Sequence, residues 1–199
     1  MTIPILSKLL IGALLYEGTI GATELHERFN NWNWARDYCD QVGKPLLRIG
    51  MHRGPFEPPN GDYTLDVDPA IEDIPGGVLG DERNMPFCDK QFGVCFNEHT
   101  LEHLHDAQSV EMAVNECRRV ADYAVLLCPS PYSIYATLFC PSHRLRLWFD
   151  NKNNRIVVKP NTWATGFGWV YEGDTGGARI TQQMILNYDE MKLPIIIEG

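Results

Sequence analysis

The stretch FGVCFNEHTLEHLHDAQSVEMAVNECRRVADYAVLLC, residues 92–128, decides the fold. Phe92 to Phe96 is a short apolar run without polar alternation, the pattern of a strand buried on both faces. Tyr123 to Cys128 repeats that pattern and is stopped by Pro129 and Pro131. Between the two runs Asp106 is placed to cap a helix with the apolar stripe Val110, Ala113, Val114 and Cys117. Arg118 and Arg119 near its end suit the negative pole of the helix dipole. A strand, a helix and a strand in this order predict a parallel pair with the helix packed across it.

Working toward the N-terminus, residues 45–51 read as a strand running into the glycine turn Gly50-Met-His-Arg-Gly54, and Tyr63 to Val67 as a strand ending beside Asp66 and Asp68. Residues 75–91 are rich in Gly, Pro and acids and read as loop. Two helices come before the first strand. Leu6, Leu9, Leu10, Ala13 and Leu14 give one of about three turns, loosened after its end by Gly18 and Gly21, and Trp32, Ala35 and Cys39 share one face of a second over about residues 31–42. Toward the C-terminus, residues 143–159 read as a basic hairpin, 179–188 as a helix and 193–197 as a last strand. The chain therefore predicts an α/β fold: a Rossmann-like, mostly parallel sheet with helices on both faces. Residues 1–44 would be N-terminal helices packed on a core of residues 45–199, all within one compact domain.

Composition narrows the function. With 44% hydrophobic and 22% charged residues the chain has the material for an ordinary buried core. Its net charge of −9 excludes generic binding to the nucleic-acid backbone. The charge is uneven: residues 57–106 hold twelve acids against Arg83 and Lys90, while 143–159 hold five bases against Asp150. That second stretch reads either as a solvated hairpin or as a patch for an anionic substrate or partner. The six cysteines contain no C-x-x-C pair, so they read as reduced, mostly buried thiols of a cytoplasmic protein. The apolar run Ile3 to Tyr16 contains Lys8 and is shorter than the ~20 residues of a membrane span. It is expected to face the core or a protein partner, or to touch a membrane surface and make the protein peripheral to it.

A strand into a glycine turn, a second strand ending in aspartate and two further buried strands build a nucleotide-type site at the carboxyl ends of parallel strands. Within that order stand Gly80-Asp81, Met85-Pro86-Phe87, Asp89, Phe92-Gly93-Val94, His99, Leu101-Glu102-His103-Leu104, Asp106, Glu116 and Arg119-Val120. Over about residues 45–130 the chain resembles the class I S-adenosylmethionine-dependent methyltransferases. It is most similar to a short form of the broad type 11 group, in which a direct loop replaces the helix after the glycine turn. The resemblance implies S-adenosylmethionine as cofactor, with Gly50 and Gly54 under its methionine part, Asp66 on the ribose hydroxyls and Asp81 toward the adenine amino group. Asn97 to His99 would line the floor where the methyl group leaves, with His99 the candidate catalytic residue. Two positions at the first turn depart from the pattern, Arg48 standing where the family has an acid and His52 where it has a glycine, and Ala121-Asp122 replaces a glycine-rich turn before the fourth strand.

Other chemistry is weaker. His99-Thr-Leu-Glu102-His103 spells H-x-x-E-H, which carries zinc where both histidines share one helical face. The methyltransferase pattern accounts for Leu101, Glu102 and His103 without a metal, so none is expected and His103 reads as a hydrogen-bonded structural residue. Ser130 and Ser133 lack a nucleophile elbow. Trp32 and Trp34 point to different sides of their helix and are expected in the core, a lid over the cofactor being the alternative. Two functions follow: methyl transfer to an unidentified acceptor, or a methyltransferase-like fold without cofactor that serves as an interaction or assembly subunit.

Overall fold

In the computed structural model, residues 5–150, 155–161, 182–187 and 195–197 are described. The first strand, β1 (Leu46–Ile49), is buried along its whole length. It pairs in parallel with β2 (Tyr63–Asp66) on one side and with β4 (Phe92–Glu98) on the other. β4, buried at all seven residues, pairs in parallel with β5 (Ala121–Cys128), and β2 with the short β3 (Gly77–Leu79). β8 (Gln182–Asn187) runs antiparallel on the outer edge of β5. The sheet order is β3-β2-β1-β4-β5-β8, a five-stranded parallel sheet with one antiparallel edge.

Strand alternation separates two cores. Leu46, Val94, Phe96, Val125 and Leu127 face Trp32, Ala35 and Cys39 of the long helix α1 (Ile5–Val42). Leu47, Ile49, Cys95, Ala124 and Leu126 face Val110, Ala113, Val114 and Cys117 of α2 (Ala107–Val120). The two helices thus cover opposite faces, as strands apolar on both sides require. Asp106 caps α2 by accepting from Ser109 N at 2.7 Å. The four expected strands, β1, β2, β4 and β5, form within two residues of their expected limits, and the sheet is the mostly parallel, Rossmann-like one expected.

Several local expectations are corrected. Gly18 and Gly21 do not interrupt the N-terminal helix, and the two expected helices are the single 38-residue α1. A helical glycine costs only about 1 kcal/mol against alanine, and here the neighbouring turns are anchored. Glu17 accepts from Ile134 N and Tyr135 N, and Glu24 accepts from Ser130 N at 2.6 Å. Residues 77–79 are strand, not loop, because they complete the edge beside β2. Residues 182–187 are strand, not helix, pairing with backbone groups of β5 that would otherwise lie open.

The basic hairpin forms, as β6 (Leu145–Asp150) and β7 (Arg155–Pro160), with β9 (Ile195–Ile197) parallel to β7. It is not solvated. Every residue of β6 is buried, and Leu145, Leu147, Phe149, Ile156 and Val158 join the core on the α2 side. Its bases are also engaged: Arg155 Nε lies 2.6 Å from Asp150 Oδ2, Arg146 donates to the Pro131 carbonyl, and Lys159 sits over the Trp148 ring. Lys152 and the segment after Asn161, apart from β8 and β9, lie outside the described residues.

Candidate functional site

The carboxyl ends of β1, β2 and β4 open into a cavity of about 560 Å³, within the ~300–1,000 Å³ usual for small-molecule sites. Gly50 ends β1 and turns the chain with φ 85°, in the left-handed region. A Cβ at this position would stand 3.1 Å from Thr100 Cγ2, so the turn needs glycine both for its backbone and for its space. The turn is fastened to β2: Gly50 N donates to the Leu65 carbonyl and Met51 N to Asp66 Oδ2 at 2.8 Å.

Asp66 Oδ1 accepts from Asp68 N at 2.9 Å, so each carboxylate oxygen holds one backbone N–H and keeps a lone pair for a further donor. Asp81 lines the same cavity and is held by a forked pair with Arg83, whose Nη2 lies 2.5 Å from Oδ2. That guanidinium keeps the Asp81 carboxyl below the ordinary aspartate range. The cavity thus brings together Gly50, Asp66, Asp81 and His99. Two expected residues stand apart from it. Gly54 is not in its wall, and Asn97 is fully buried behind it, donating from Nδ2 to Glu82 Oε2 at 2.6 Å.

The two departures at the first turn do not fill the hollow. Arg48 is buried in its wall, pinned by the carbonyls of Pro58 and Pro59 and by Glu57 and Glu98 at 3.2 and 3.4 Å. His52 turns toward the 55–60 loop, with Nδ1 donating to the Pro58 carbonyl at 2.9 Å and its backbone N–H donating to Asn60 Oδ1. The loop therefore wraps Arg48 and His52 with its own carbonyls.

Two wall residues, Arg28 and Glu82, carry no signal in the sequence. Arg28 reaches in from α1, its Nε 2.6 Å from Glu98 Oε1 and its Nη2 2.8 Å from His99 Nε2. Glu98, at the end of β4, therefore lies between Arg28 and Arg48, and burial raises its pKa against the pull of both cations. Glu82 is buried beneath the floor, and desolvation pushes its carboxyl up to about 7. Nothing in local spacing links residue 28 to residue 98. Trp32 and Trp34 lid nothing: Trp32 packs edge-on to Phe96 and Trp34 against Tyr38 and Tyr123.

His99 itself is constrained. Its backbone lies in the left-handed region at φ 53°. Because a guanidinium only donates, His99 Nε2 accepts from Arg28 and the ring proton sits on Nδ1, which faces Glu102 Oε1 at 3.6 Å. Burial, together with Arg28, lowers its pKa to about 3, so the ring is neutral near pH 7. Burial also pushes Glu102 up to about 8.

This set fits S-adenosylmethionine. A Cβ on Gly50 would press on Thr100 in the cavity wall, Asp66 offers two acceptor lone pairs for a ribose diol, and Asp81 borders the same space. The wall mixes the guanidinium groups of Arg28, Arg53 and Arg83 with carboxylates, which suits a ligand carrying both a carboxylate and a sulfonium.

Residues 67–123 match the family described as Methyltransferase domain. No curated protein matches the chain. Among solved structures it is similar to a Bacillus halodurans protein proposed to be a methyltransferase, at 18% identity and TM-score 0.37, covering 52% of this chain and 58% of that one. It is also similar to the PH0226 protein of Pyrococcus horikoshii, at 12% identity and TM-score 0.36, covering 63% and 69%. An S-adenosylmethionine-dependent methyltransferase of Mesorhizobium loti follows at 16% and 0.34, covering 65% and 63%. The chain spans less than two thirds of the length of the first and third of these, and at such scores the fold rests on the sheet order itself. By that order and by its matched central segment, the chain resembles the class I S-adenosylmethionine-dependent methyltransferases.

Proposed function

We propose that the protein transfers a methyl group from S-adenosylmethionine to an acceptor that enters the cavity at the carboxyl ends of β1, β2 and β4. The observation that carries this reading is the meeting, in one cavity of about 560 Å³, of the Gly50 turn with Asp66 and Asp81. In this reading Gly50 lets the backbone approach the cofactor, Asp66 accepts from the ribose and Asp81 from the adenine amino group after sharing Arg83. Arg28 and Arg53 are the cations nearest to hand for the amino-acid carboxylate. Gly54 and Asn97 support from outside, the first through the loop and the second by fixing Glu82. The bound cofactor would supply the electrophilic methyl group, and the chain's part is alignment and exclusion of water. His99, neutral and with its Nε2 lone pair occupied by Arg28, serves here as a positioning residue of the wall and not as a base.

The test is calorimetric titration of the purified chain with S-adenosylhomocysteine. Saturable binding is expected, weakened at least about tenfold in Asp66→Ala by the loss of charge-assisted hydrogen bonds, and weakened also in Asp81→Ala. A folded wild-type chain that shows no saturable binding up to millimolar ligand would overturn the proposal.

A second reading is favoured by one observation. Ile5, Leu9, Leu10, Leu14 and Leu15 of α1 are exposed, in a segment that no part of the described chain covers. No helix among the described residues is long and apolar enough to cross a membrane. This reading gives the N-terminal part of α1 a protein or membrane-surface contact, alongside the cavity or in place of catalysis.

A further inference from the structure

We infer that Glu102, His103 and His143 form a binding site for a divalent transition-metal ion of the zinc type, beside the same cavity, whose wall includes His103. Glu102 Oε1 lies 3.9 Å from His103 Nε2 and 3.9 Å from His143 Nε2, and the three ligand atoms fall within 4.8 Å of one another. Zinc–ligand bonds of about 2.0–2.2 Å at tetrahedral angles place neighbouring ligand atoms about 3.4 Å apart, so each glutamate–histidine pair would close by about 0.5 Å on binding.

Two independent features point to a ligand. Both histidines are oriented from behind: His103 Nδ1 donates to the Ser142 carbonyl at 3.0 Å and His143 Nδ1 to the Ala136 carbonyl at 3.1 Å. A carbonyl only accepts, so both protons sit on Nδ1 and both Nε2 atoms, each 3.9 Å from Glu102 Oε1, keep a lone pair for a metal. This is how metal-bound imidazoles are fixed in tautomer and direction. The second feature is Glu102, 1% exposed, whose two carboxylate oxygens accept no hydrogen bond. Burial is costly to a carboxylate, and a metal cation at its oxygens would offset that cost.

The site is not the H-x-x-E-H arrangement of the sequence. Leu101–His103 is a single 3₁₀ turn, and the first histidine of that motif, His99, spends its Nε2 on Arg28. Its place is taken by His143, from the turn before β6, which the fold brings beside Glu102: Arg144 N donates to the Glu102 carbonyl at 2.8 Å. One carboxylate with two imidazoles suits zinc, cobalt(II) or iron(II) better than magnesium or calcium. Three protein ligands leave a tetrahedral ion one position for water or another oxygen ligand. His103, 42% exposed, lines the cavity, which gives such a ligand a way to the ion. If the methyltransferase reading holds, the acceptor atom is then an oxygen that a metal can polarise.

The test uses the whole chain, stripped with a chelator and titrated with Zn²⁺ by calorimetry and with Co²⁺ by visible absorption. Saturable one-to-one binding is expected, with the intense visible bands of four-coordinate cobalt. Glu102→Gln, His103→Ala and His143→Ala should each weaken it by at least about tenfold, with circular dichroism showing that each variant is folded, while His26→Ala leaves it unchanged. If wild type binds neither ion, or if binding survives His103→Ala and His143→Ala in folded protein, the site does not exist. Titration with S-adenosylhomocysteine on the same samples separates the two readings, since the metal site stands or falls without cofactor binding.

Discussion

Arg28, in the middle of α1, and Glu98, the last residue of β4, form an ion pair of 2.6 Å with side chains 14% and 2% exposed. This contact ties the long helix to the floor of the cavity, and Arg48 shares the same carboxylate at 3.4 Å. Removing Arg28 leaves the buried Glu98 with only the longer contact to Arg48. Arg28→Met should therefore lower stability by about 3 kcal/mol, and the double variant with Glu98→Gln should recover part of that loss. Urea denaturation of wild type, both single variants and the double variant gives the coupling. Strict additivity would mean that the pair contributes nothing.

The glycine turn makes a sharper prediction about the site, because its two glycines differ. Gly50 has φ 85° and a Cβ there would crowd Thr100, whereas a Cβ at Gly54 would meet nothing within 4 Å. Gly50→Ala should cost about 1–2 kcal/mol for the left-handed backbone and weaken S-adenosylhomocysteine as the turn shifts into the cavity. Gly54→Ala should stay within about 0.5 kcal/mol of wild type and leave binding unchanged. Calorimetry and thermal melts of the two variants decide it, and equal effects would remove Gly50 from its special place.

What the sequence discloses of this fold and site is what is local or periodic. Apolar runs at 45–51, 92–96 and 123–128 locate strands, and Asp106 locates a helix start, because each signal lies within a few residues of its effect. Gly50 and Asp66 follow strands that the sequence shows, whereas Asp81 follows β3, which reads as loop, and its place came from the family resemblance. Arg28 and His143 were not legible, because each meets its partner only after distant elements pack: α1 against β4, and the turn before β6 against Glu102. The continuity of α1 through Gly18 and Gly21 depends likewise on the tether of Glu17 and Glu24 to residues 130–135. Local propensity suggested a break where tertiary contacts hold the helix together.

The N-terminal part of α1 should be replaceable without harm to the fold. Leu9 and Leu14 are 66% and 65% exposed, so Leu9→Lys with Leu14→Lys removes no packed contact. The double variant should keep its melting temperature and its S-adenosylhomocysteine affinity, within the roughly 0.5 kcal/mol typical of surface changes. If this segment docks onto lipid or protein, the variant should lose sedimentation with anionic vesicles or self-association in the ultracentrifuge. A drop in melting temperature would show instead that the segment packs within its own chain.

Glu82 sets a pH dependence whose sign follows from its burial. Desolvation raises its carboxyl from 4.5 to about 7, against the hydrogen bonds of Asn97 and Thr100 that favour the anion. Between those values the folded chain keeps a proton that the unfolded chain has released. The stabilisation is therefore complete below 4.5, falls as pH rises toward 7 and is gone above it. Each pH unit across the window contributes at most about 1.4 kcal/mol. Glu82→Gln keeps an oxygen for the Asn97 and Thr100 donors but cannot ionise, so its stability relative to wild type should climb from pH 5 to pH 7 and level off by about pH 8. Other buried carboxyls, such as Glu24 and Glu98, slope the same way in both proteins and cancel in the difference. Urea midpoints measured in parallel across that range give the curve, and a flat difference would mean that Glu82 titrates as an ordinary surface carboxylate.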